Sequence, residues 1–64
     1  MRLTDFWRRM EQAFGPSYAY SWARDQVIAA LDGRTVEQAL AQGADTKEVW
    51  RAVCDNADLP ARLR

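Results

Sequence analysis

The chain has 64 residues, of which 48% are hydrophobic, and nine basic side chains balance nine acidic ones. A domain of this size buries only about 60% of the surface that its unfolded chain exposes, so its core must be dense. The balanced charge argues against a generic polyanion binder, and the apolar content argues against a disordered tail. We expect a single domain that spans residues 1–64.

Cysteine and histidine content limits the chemistry further. Cys54 is the only cysteine and histidine is absent, so neither an internal disulfide nor a zinc site can form. The amino-terminal residues run into an acidic, amphipathic segment instead of the apolar core of a signal peptide. The longest apolar run, 27–31, has five residues, whereas a membrane span needs about 20. We expect a protein of the reducing cytoplasm, with no membrane partner, no metal and no cofactor.

No arrangement of side chains predicts catalysis. The chain lacks histidine, the commonest acid–base group near neutral pH, and no base stands beside its hydroxyl groups in the sequence. The closely spaced acids, Asp45 with Glu48 and Asp55 with Asp58, suit helix ends or a solvated face. The three glycines are isolated and make no phosphate-binding loop. We therefore expect no enzymatic activity.

The glycines divide the chain into four segments with helical patterning. In the first segment, Thr4 is predicted as the N-cap and Gly15 as the residue that ends the helix. Asp5 and Arg9 on its polar side are spaced for an ion pair. The apolar residues at helical spacing on the other side are Leu3, Phe6, Trp7, Met10, Ala13 and Phe14.

A small basic cluster also lies on this first segment. Arg8 and Arg9, with Arg2 nearby, could bind phosphates or stack on bases. Asp5 and Glu11 lie on the same face and neutralise much of this charge. We therefore favour a solvated face with ordinary ion pairs.

The second segment predicts a long helix. It opens at Pro16, a residue favoured in the first helical turn, and runs to Leu31 or Asp32, just before Gly33. Apolar residues cover more than half of its circumference, so it should lie between neighbouring helices. Ile28 falls within the polar strip of this helix. It is either covered by the carboxy-terminal tail or part of a contact surface.

The third and fourth segments carry the clearest start signals. Thr35 and Gln38 form a capping box at the start of the third segment, which is short and ends just before Gly43. The fourth begins with a second capping box, Asp45–Glu48, and ends at Leu59–Pro60. No strand pattern competes with these helices. The prediction is an all-α fold, a compact bundle of three main helices plus one short helix.

The bulky apolar residues suggest how this bundle is filled. Trp7, Trp22 and Trp50 lie on three different helices, each within an apolar stripe, and we interpret them as a shared aromatic core. Trp50 lies near the edge of its stripe and is the candidate for an exposed partner anchor. Cys54 is interpreted as a small core residue.

The third and fourth segments together outline a helix-turn-helix motif, which makes a small DNA-binding protein the alternative function. The candidate DNA contacts are Thr46, Lys47 and Arg51. Glu48 and Asp55 lie beside them, and the surface offers little net positive charge for phosphate contacts. Binding would therefore depend on a dimer that combines two weak half-sites.

Five stretches that extend across the whole chain carry a family resemblance. They are Met1–Trp7, Ser21–Asp25, Gly33–Val36 with Ala39 and Leu40, Val49–Cys54, and Leu59–Pro60. With them the chain resembles a small actinobacterial family of uncharacterised proteins, a domain of unknown function. The resemblance implies no reaction, ligand or binding residue. The genes of that family often lie near those of the recombinase RecA and its regulator, which links it to DNA metabolism by association only.

These observations favour an interaction module that binds another protein, or a second copy of itself, over an enzyme. DNA is the less favoured partner. A small-molecule site between helices, lined by Tyr18, Trp22 and Trp50, has no support beyond aromatic content. The candidate partner contacts are Tyr20, Arg24, Ile28, Trp50 and Arg51.

Overall fold

Four α-helices and one short antiparallel hairpin make up the fold, which a computed structural model describes for all 64 residues. The helices are α1 (Leu3–Phe14), α2 (Ala19–Asp25), α3 (Val36–Ala41) and α4 (Thr46–Ala57), and the strands are β1 (Val27–Ile28) and β2 (Arg34–Thr35). Single 3-10 turns follow β1 at Ala29–Leu31 and α4 at Ala61–Leu63. Both α1 and α3 pack against α2 and α4. The chain is mostly helical as predicted, but the small sheet departs from the all-α prediction.

The predicted second helix is too long at both ends. Residues 16–18 form a turn, in which the Ala19 amide donates to the Gly15 carbonyl at 3.0 Å, and α2 begins only at Ala19. At the other end Gln26 adopts an extended conformation with φ −84° and ψ 115°. Helix α2 therefore has seven residues, and the apolar run that follows Gln26 forms other structure.

The hairpin explains the position of Ile28. In the antiparallel ladder, Val27 lies opposite Thr35 and Ile28 opposite Arg34. Because successive side chains of a strand point to opposite faces, Val27 points outward and is 56% exposed, while Ile28 points into the core and is 1% exposed. The prediction that Ile28 belongs to a contact surface is wrong.

Two consecutive residues in the left-handed region lead the chain into the second strand. Asp32 has φ 60° and Gly33 has φ 76°. Aspartate tolerates this region better than most residues, and glycine adopts it without steric cost. The Gly33 amide donates to the Ile28 carbonyl at 3.2 Å, which helps to close the connection between the strands.

The ends of the two long helices differ slightly from prediction. Helix α1 begins one residue before Thr4, with Arg2 in the N-cap position and no side-chain cap. Its predicted end is confirmed, since Gly15 follows the last turn with φ 90°. Helix α4 ends two residues before the predicted stop, because Asp58 takes a left-handed conformation with φ 53° ahead of Leu59–Pro60.

The two predicted capping boxes have different outcomes. At α3 both bonds are present: the Gln38 amide donates to the Thr35 hydroxyl at 3.2 Å, and the Thr35 amide donates to the Gln38 side chain at 3.0 Å. At α4 the Asp45 carboxylate accepts a bond from the Lys47 amide at 3.4 Å, without the reciprocal bond from Glu48 that would complete the box.

The core is a single cluster of thirteen buried apolar residues. The ring of Phe6 meets that of Trp50 edge-on at 6.1 Å, and Phe14 stacks on Trp22 at 4.4 Å. Trp50 is 4% exposed, so its prediction as an exposed anchor is wrong. The cluster comprises Phe6, Met10, Ala19, Trp22, Ala23, Ile28, Val36, Ala39, Val49, Trp50, Ala52, Val53 and Cys54. None of the helices combines the length and the apolar character that crossing a membrane requires.

Candidate functional site

The predicted partner contacts do not form one surface. Ile28 and Trp50 lie in the core, as described above. Arg24 is exposed on α2, where its guanidinium lies 3.5 Å from the Asp25 carboxylate. Arg51 is exposed on α4 and lines a cavity that Arg24 does not reach.

Tyr20, the fifth predicted contact, is half exposed but engaged within the protein. Its ring stacks on Trp7 at a centroid distance of 4.5 Å, and its hydroxyl donates to the Glu11 carboxylate at 2.9 Å. That hydrogen bond, followed by burial and the negative charge of Glu11, raises the pKa of Tyr20. Tyr20 thus connects α2 to α1.

The three aromatic residues considered for a small-molecule site are not brought together around a cavity. Trp22 is stacked beneath Phe14, and Tyr18 is 57% exposed. The cavity that Trp50 lines is lined by neither of the other two. The geometry gives this hypothesis no support.

A different site, made mainly of cationic side chains, lies where α1, α4 and the C-terminal segment (residues 58–64) meet. This cavity has a volume of about 490 Å³, within the range of about 300 to 1,000 Å³ that is usual for ligand sites. Four of its seven lining residues are basic and none is acidic. We call it the cationic cleft. Its lining residues are Met1, Arg9, Lys47, Trp50, Arg51, Cys54 and Arg64.

Three of the four cations in the cleft have no acidic partner. The ion pairs of the protein involve Arg8, Arg24, Arg34 and Arg64, each with an aspartate. Arg9, Lys47 and Arg51 take part in none of them. The predicted Asp5–Arg9 pair is wrong, because Asp5 lies 3.6 Å from Arg8 instead. Arg9 therefore has no acidic side chain as a partner, and its guanidinium bonds instead to the backbone oxygen of Arg64.

Lys47 and Arg51 lie one turn apart on α4, the spacing at which helix side chains interact. Two like charges in this arrangement destabilise a helix by about 0.2 to 0.5 kcal/mol. An acidic ligand placed between them would remove this repulsion. The pair therefore favours occupation of the cleft by an anion.

Arg64 is the positioned cation of the cleft. Its guanidinium donates to the Asp55 carboxylate and the Leu59 carbonyl, both at 2.9 Å, and to the Cys54 carbonyl at 3.4 Å. The hydrogen bond to Asp55 is the main cause of the raised pKa of Arg64. Because three acceptors on and after α4 hold this guanidinium, it keeps one orientation at the rim of the cleft.

The backbone oxygen of Arg64 shows how the cleft holds an acceptor atom. It accepts one bond from the Arg9 guanidinium at 3.0 Å and one from the Trp50 indole nitrogen at 3.2 Å. These bonds fix the C-terminal segment against the middle of α1 and of α4. They use one of the five N–H donors of Arg9 and leave the others for a ligand.

The thiol in the cleft is not activated. Cys54 is 2% exposed, and burial is the main cause that raises the pKa of its thiol. The charges of Arg64 and Arg9 act in the opposite direction without cancelling that effect. A protonated, covered thiol is a poor nucleophile. The groups of this site that are available to an anion are its cations.

The three candidate DNA contacts lie in the amino-terminal half of α4. Lys47 and Arg51 line the cleft, while the Thr46 hydroxyl donates to the Met1 carbonyl at 2.6 Å and so helps to anchor the amino terminus. Sequence reasoning thus found two of the four cleft cations. It set Arg9 aside as part of a solvated, neutralised face, and it missed Arg64, which is far from the other three in the chain and which no local pattern connects to them.

Comparison with known proteins gives one match. A family model described as "Protein of unknown function (DUF3046)" matches residues 1–62. The comparison with curated proteins gives no match, and neither does the comparison with solved structures.

Proposed function

The chain belongs to the DUF3046 family of proteins of unknown function, and from the geometry of the cationic cleft we propose that it is a non-enzymatic interaction module that binds an acidic segment of a protein partner. The observation that carries this proposal is the convergence of four cations from three parts of the fold, three of them without an acidic partner. The site of action that we propose is the cytoplasm, in keeping with the free thiol of Cys54.

Charge pairing elsewhere in the molecule supports this proposal. Arg24 and Arg34 lie outside the cleft, and each is paired with an aspartate close by in the sequence. The chain therefore has acids enough to neutralise its cations, yet Lys47 and Arg51 stay unpaired although Glu48 lies beside them on α4. Net charge is zero while local charge is not.

The types of cation present suit carboxylates. A guanidinium offers a planar fork of donors that binds both oxygens of a carboxylate, and three of the four cations in the cleft are arginines. Arg64 is already held in place, so less side-chain entropy is lost when it binds. An acidic protein segment supplies such carboxylates in succession.

Binding is tested by titrating the protein into a dye-labelled acidic peptide and following its fluorescence anisotropy at about 20 mM salt. We expect saturable binding that weakens as salt is added. Arg51→Ala should weaken it roughly tenfold, because a charge-assisted hydrogen bond is lost. A CD spectrum confirms that the variant is folded.

Arg34→Ala is the matched control, since it removes an exposed arginine that lies outside the cleft. Its affinity for the peptide should equal that of the wild type. No binding of the peptide at low salt would overturn the proposal. Equal losses in both variants would show a diffuse charge effect, and would also overturn it.

DNA binding is the second candidate, and the position of Lys47 and Arg51 on the exposed side of α4 favours it. Helix α4 follows α3 across a turn at Gly43, as in a helix-turn-helix. Titration with random duplex DNA tests this candidate. Affinity that falls steeply with salt and is lost in Lys47→Ala would favour DNA, and absence of binding at low salt would eliminate it.

A further inference from the structure

The cationic cleft continues into a second cavity of about 470 Å³. The two cavities share Met1, Arg9 and Arg64 as lining residues. Together they gather six of the nine basic side chains of the protein. We call the joint feature the cationic trough, and the part added by the second cavity the outer lobe. The outer lobe is lined by Met1, Asp5, Arg8, Arg9, Gln12, Arg62, Leu63 and Arg64.

The charge of the outer lobe is also incompletely neutralised. Asp5 is its only acid and lies 3.6 Å from Arg8. Arg62 makes no ion pair and donates no hydrogen bond within the protein. Each cavity therefore has an unpaired arginine that does not line the other: Arg51 in the cleft and Arg62 in the outer lobe.

Apolar side chains accompany the shared middle of the trough. Met1 lines both cavities and is 43% exposed, and the half-buried Leu63 also lines the outer lobe. A ligand that spans the trough meets cations at both ends and apolar surface between them. Its complement is a chain with acidic groups at both ends and an apolar residue in the middle.

The size of the trough fits a short extended peptide. A cavity of 470 to 490 Å³ is roughly 10 Å across, which corresponds to about three residues of an extended chain at ~3.3 Å per residue. A ligand that enters both cavities is longer than about three residues, and because the cavities share three lining residues its length is at most about six.

We propose that the trough binds an extended acidic peptide at two points, with one acidic group at Arg51 and Lys47, another at Arg62, and an apolar residue against Met1. This inference rests on the proposed function and specifies the ligand of that same site. Two linked contacts raise affinity beyond that of either alone, because the second binds at a high effective concentration.

The surface favours a peptide over a single-stranded nucleic acid. Strand-binding proteins stack bases on exposed aromatic side chains. The only aromatic residue that lines the trough, Trp50, is 4% exposed and has its indole nitrogen bonded to the Arg64 carbonyl. The exposed tyrosines, Tyr18 and Tyr20, line neither cavity.

The test compares two dye-labelled peptides of about six residues by fluorescence anisotropy. One peptide carries acidic residues at both ends with leucine between them, and the other carries them at one end only. We expect the two-ended peptide to bind the wild type roughly tenfold more tightly. Arg51→Ala and Arg62→Ala should each reduce its affinity by about that factor, and Arg34→Ala should leave it unchanged.

The outcomes separate the inference from the proposal on which it rests. Arg51 and Arg62 are exposed and make no internal polar contacts, so both variants should keep the wild-type CD spectrum. If Arg51→Ala weakens binding and Arg62→Ala does not, the ligand uses the cleft alone and the two-point inference is overturned, while the proposed function stands. If neither peptide binds, the proposed function fails as well. Tighter binding of a single-stranded oligonucleotide of equal charge would overturn the choice of a peptide ligand.

Discussion

Exchanging Lys47 for glutamate should make the protein more stable while it removes peptide binding. In the wild type, Lys47 repels Arg51 one turn later on α4. A carboxylate at position 47 would instead attract Arg51, in the favoured order with the acid nearer the amino terminus. It would also stand in the first turn of α4, where the helix dipole favours negative charge.

The magnitude follows from these three contributions. Removing the repulsion and gaining the attraction are each worth about 0.3 kcal/mol, and the dipole adds about 0.5 kcal/mol. Asp45 and Glu48 already place negative charge at this end of the helix, and solvent screens the exposed pair. We therefore expect Lys47→Glu to raise the free energy of unfolding by about 0.5 to 1 kcal/mol, or Tm by about 4 °C in a domain of this size.

Thermal unfolding followed by CD measures this gain. The control is Lys47→Gln, which removes the positive charge without adding a negative one and should raise Tm by about 1 to 2 °C. Both gains should shrink in about 1 M salt, where charges are screened beyond ~3 Å. The same Lys47→Glu protein should bind the acidic peptide at least tenfold more weakly. A lower Tm than that of the wild type, or a gain that persists in high salt, would refute the electrostatic reasoning.

Three further predictions concern the core, the α3 cap and the thiol. Ile28→Ala should lower the free energy of unfolding by about 3 kcal/mol, measured in urea, because it empties a fully buried site. Val27→Ala, on the exposed face of the same strand, should lower it by less than about 0.5 kcal/mol. Equal losses in the two variants would contradict the observed register. Thr35→Ala should lower the free energy of unfolding by about 1 kcal/mol because the Gln38 amide loses its acceptor. Thr35→Ser keeps the hydroxyl and should retain most of the wild-type stability. A similar loss in both variants would argue against the cap. Burial raises the pKa of Cys54, so the folded protein keeps the thiol proton at pH values where the unfolded chain releases it. The free energy of unfolding should therefore fall as pH rises above about 8.5. The urea midpoint of Cys54→Ala should fall less steeply over that range, and identical slopes would exclude the thiol as the cause.

Features set by neighbouring residues were predictable from the sequence. Gly15 ends α1 and Gly43 follows α3, because each position needs a positive φ that glycine adopts without steric cost. The Thr35–Gln38 capping box was equally readable, since both of its bonds span three residues. Helix ends and caps of this kind depend on only a few residues that are close together in the sequence.

The hairpin was missed because short apolar runs are ambiguous. The stretch Val27–Leu31 suits a buried helix and a buried strand equally well, and continuity with α2 favoured the helix. The signals for a strand were present in the β-branched pair Val27 and Ile28 and in the Asp32–Gly33 dipeptide, which is typical of a chain reversal. Tertiary burial of Ile28 decides between the two structures, and that burial is not visible in a local window.

The cleft could be predicted only in part. Lys47 and Arg51 are recognisable as neighbours on one helix face. Arg9 and Arg64 join them only because the C-terminal segment folds back over α1 and α4, held by the Trp50 and Arg9 bonds to a backbone oxygen. The interpretation of Arg9 as a neutralised residue was wrong because Asp5 pairs with Arg8, three residues away, and not with Arg9.

The short helices have a consequence for how ligands can be found. Helices α2 and α3 have seven and six residues, and even α1 and α4 have only twelve, lengths at which an isolated helix is marginal in water. Each helix therefore persists only in the company of the others, and the core and the cleft should form and disappear in a single cooperative transition. Any compound or peptide that occupies the cleft must then delay that transition, by about 2.7 kcal/mol at a hundredfold excess over its dissociation constant. A screen that records only the melting temperature of the protein would therefore detect a ligand of the cleft whatever the chemical class of that ligand.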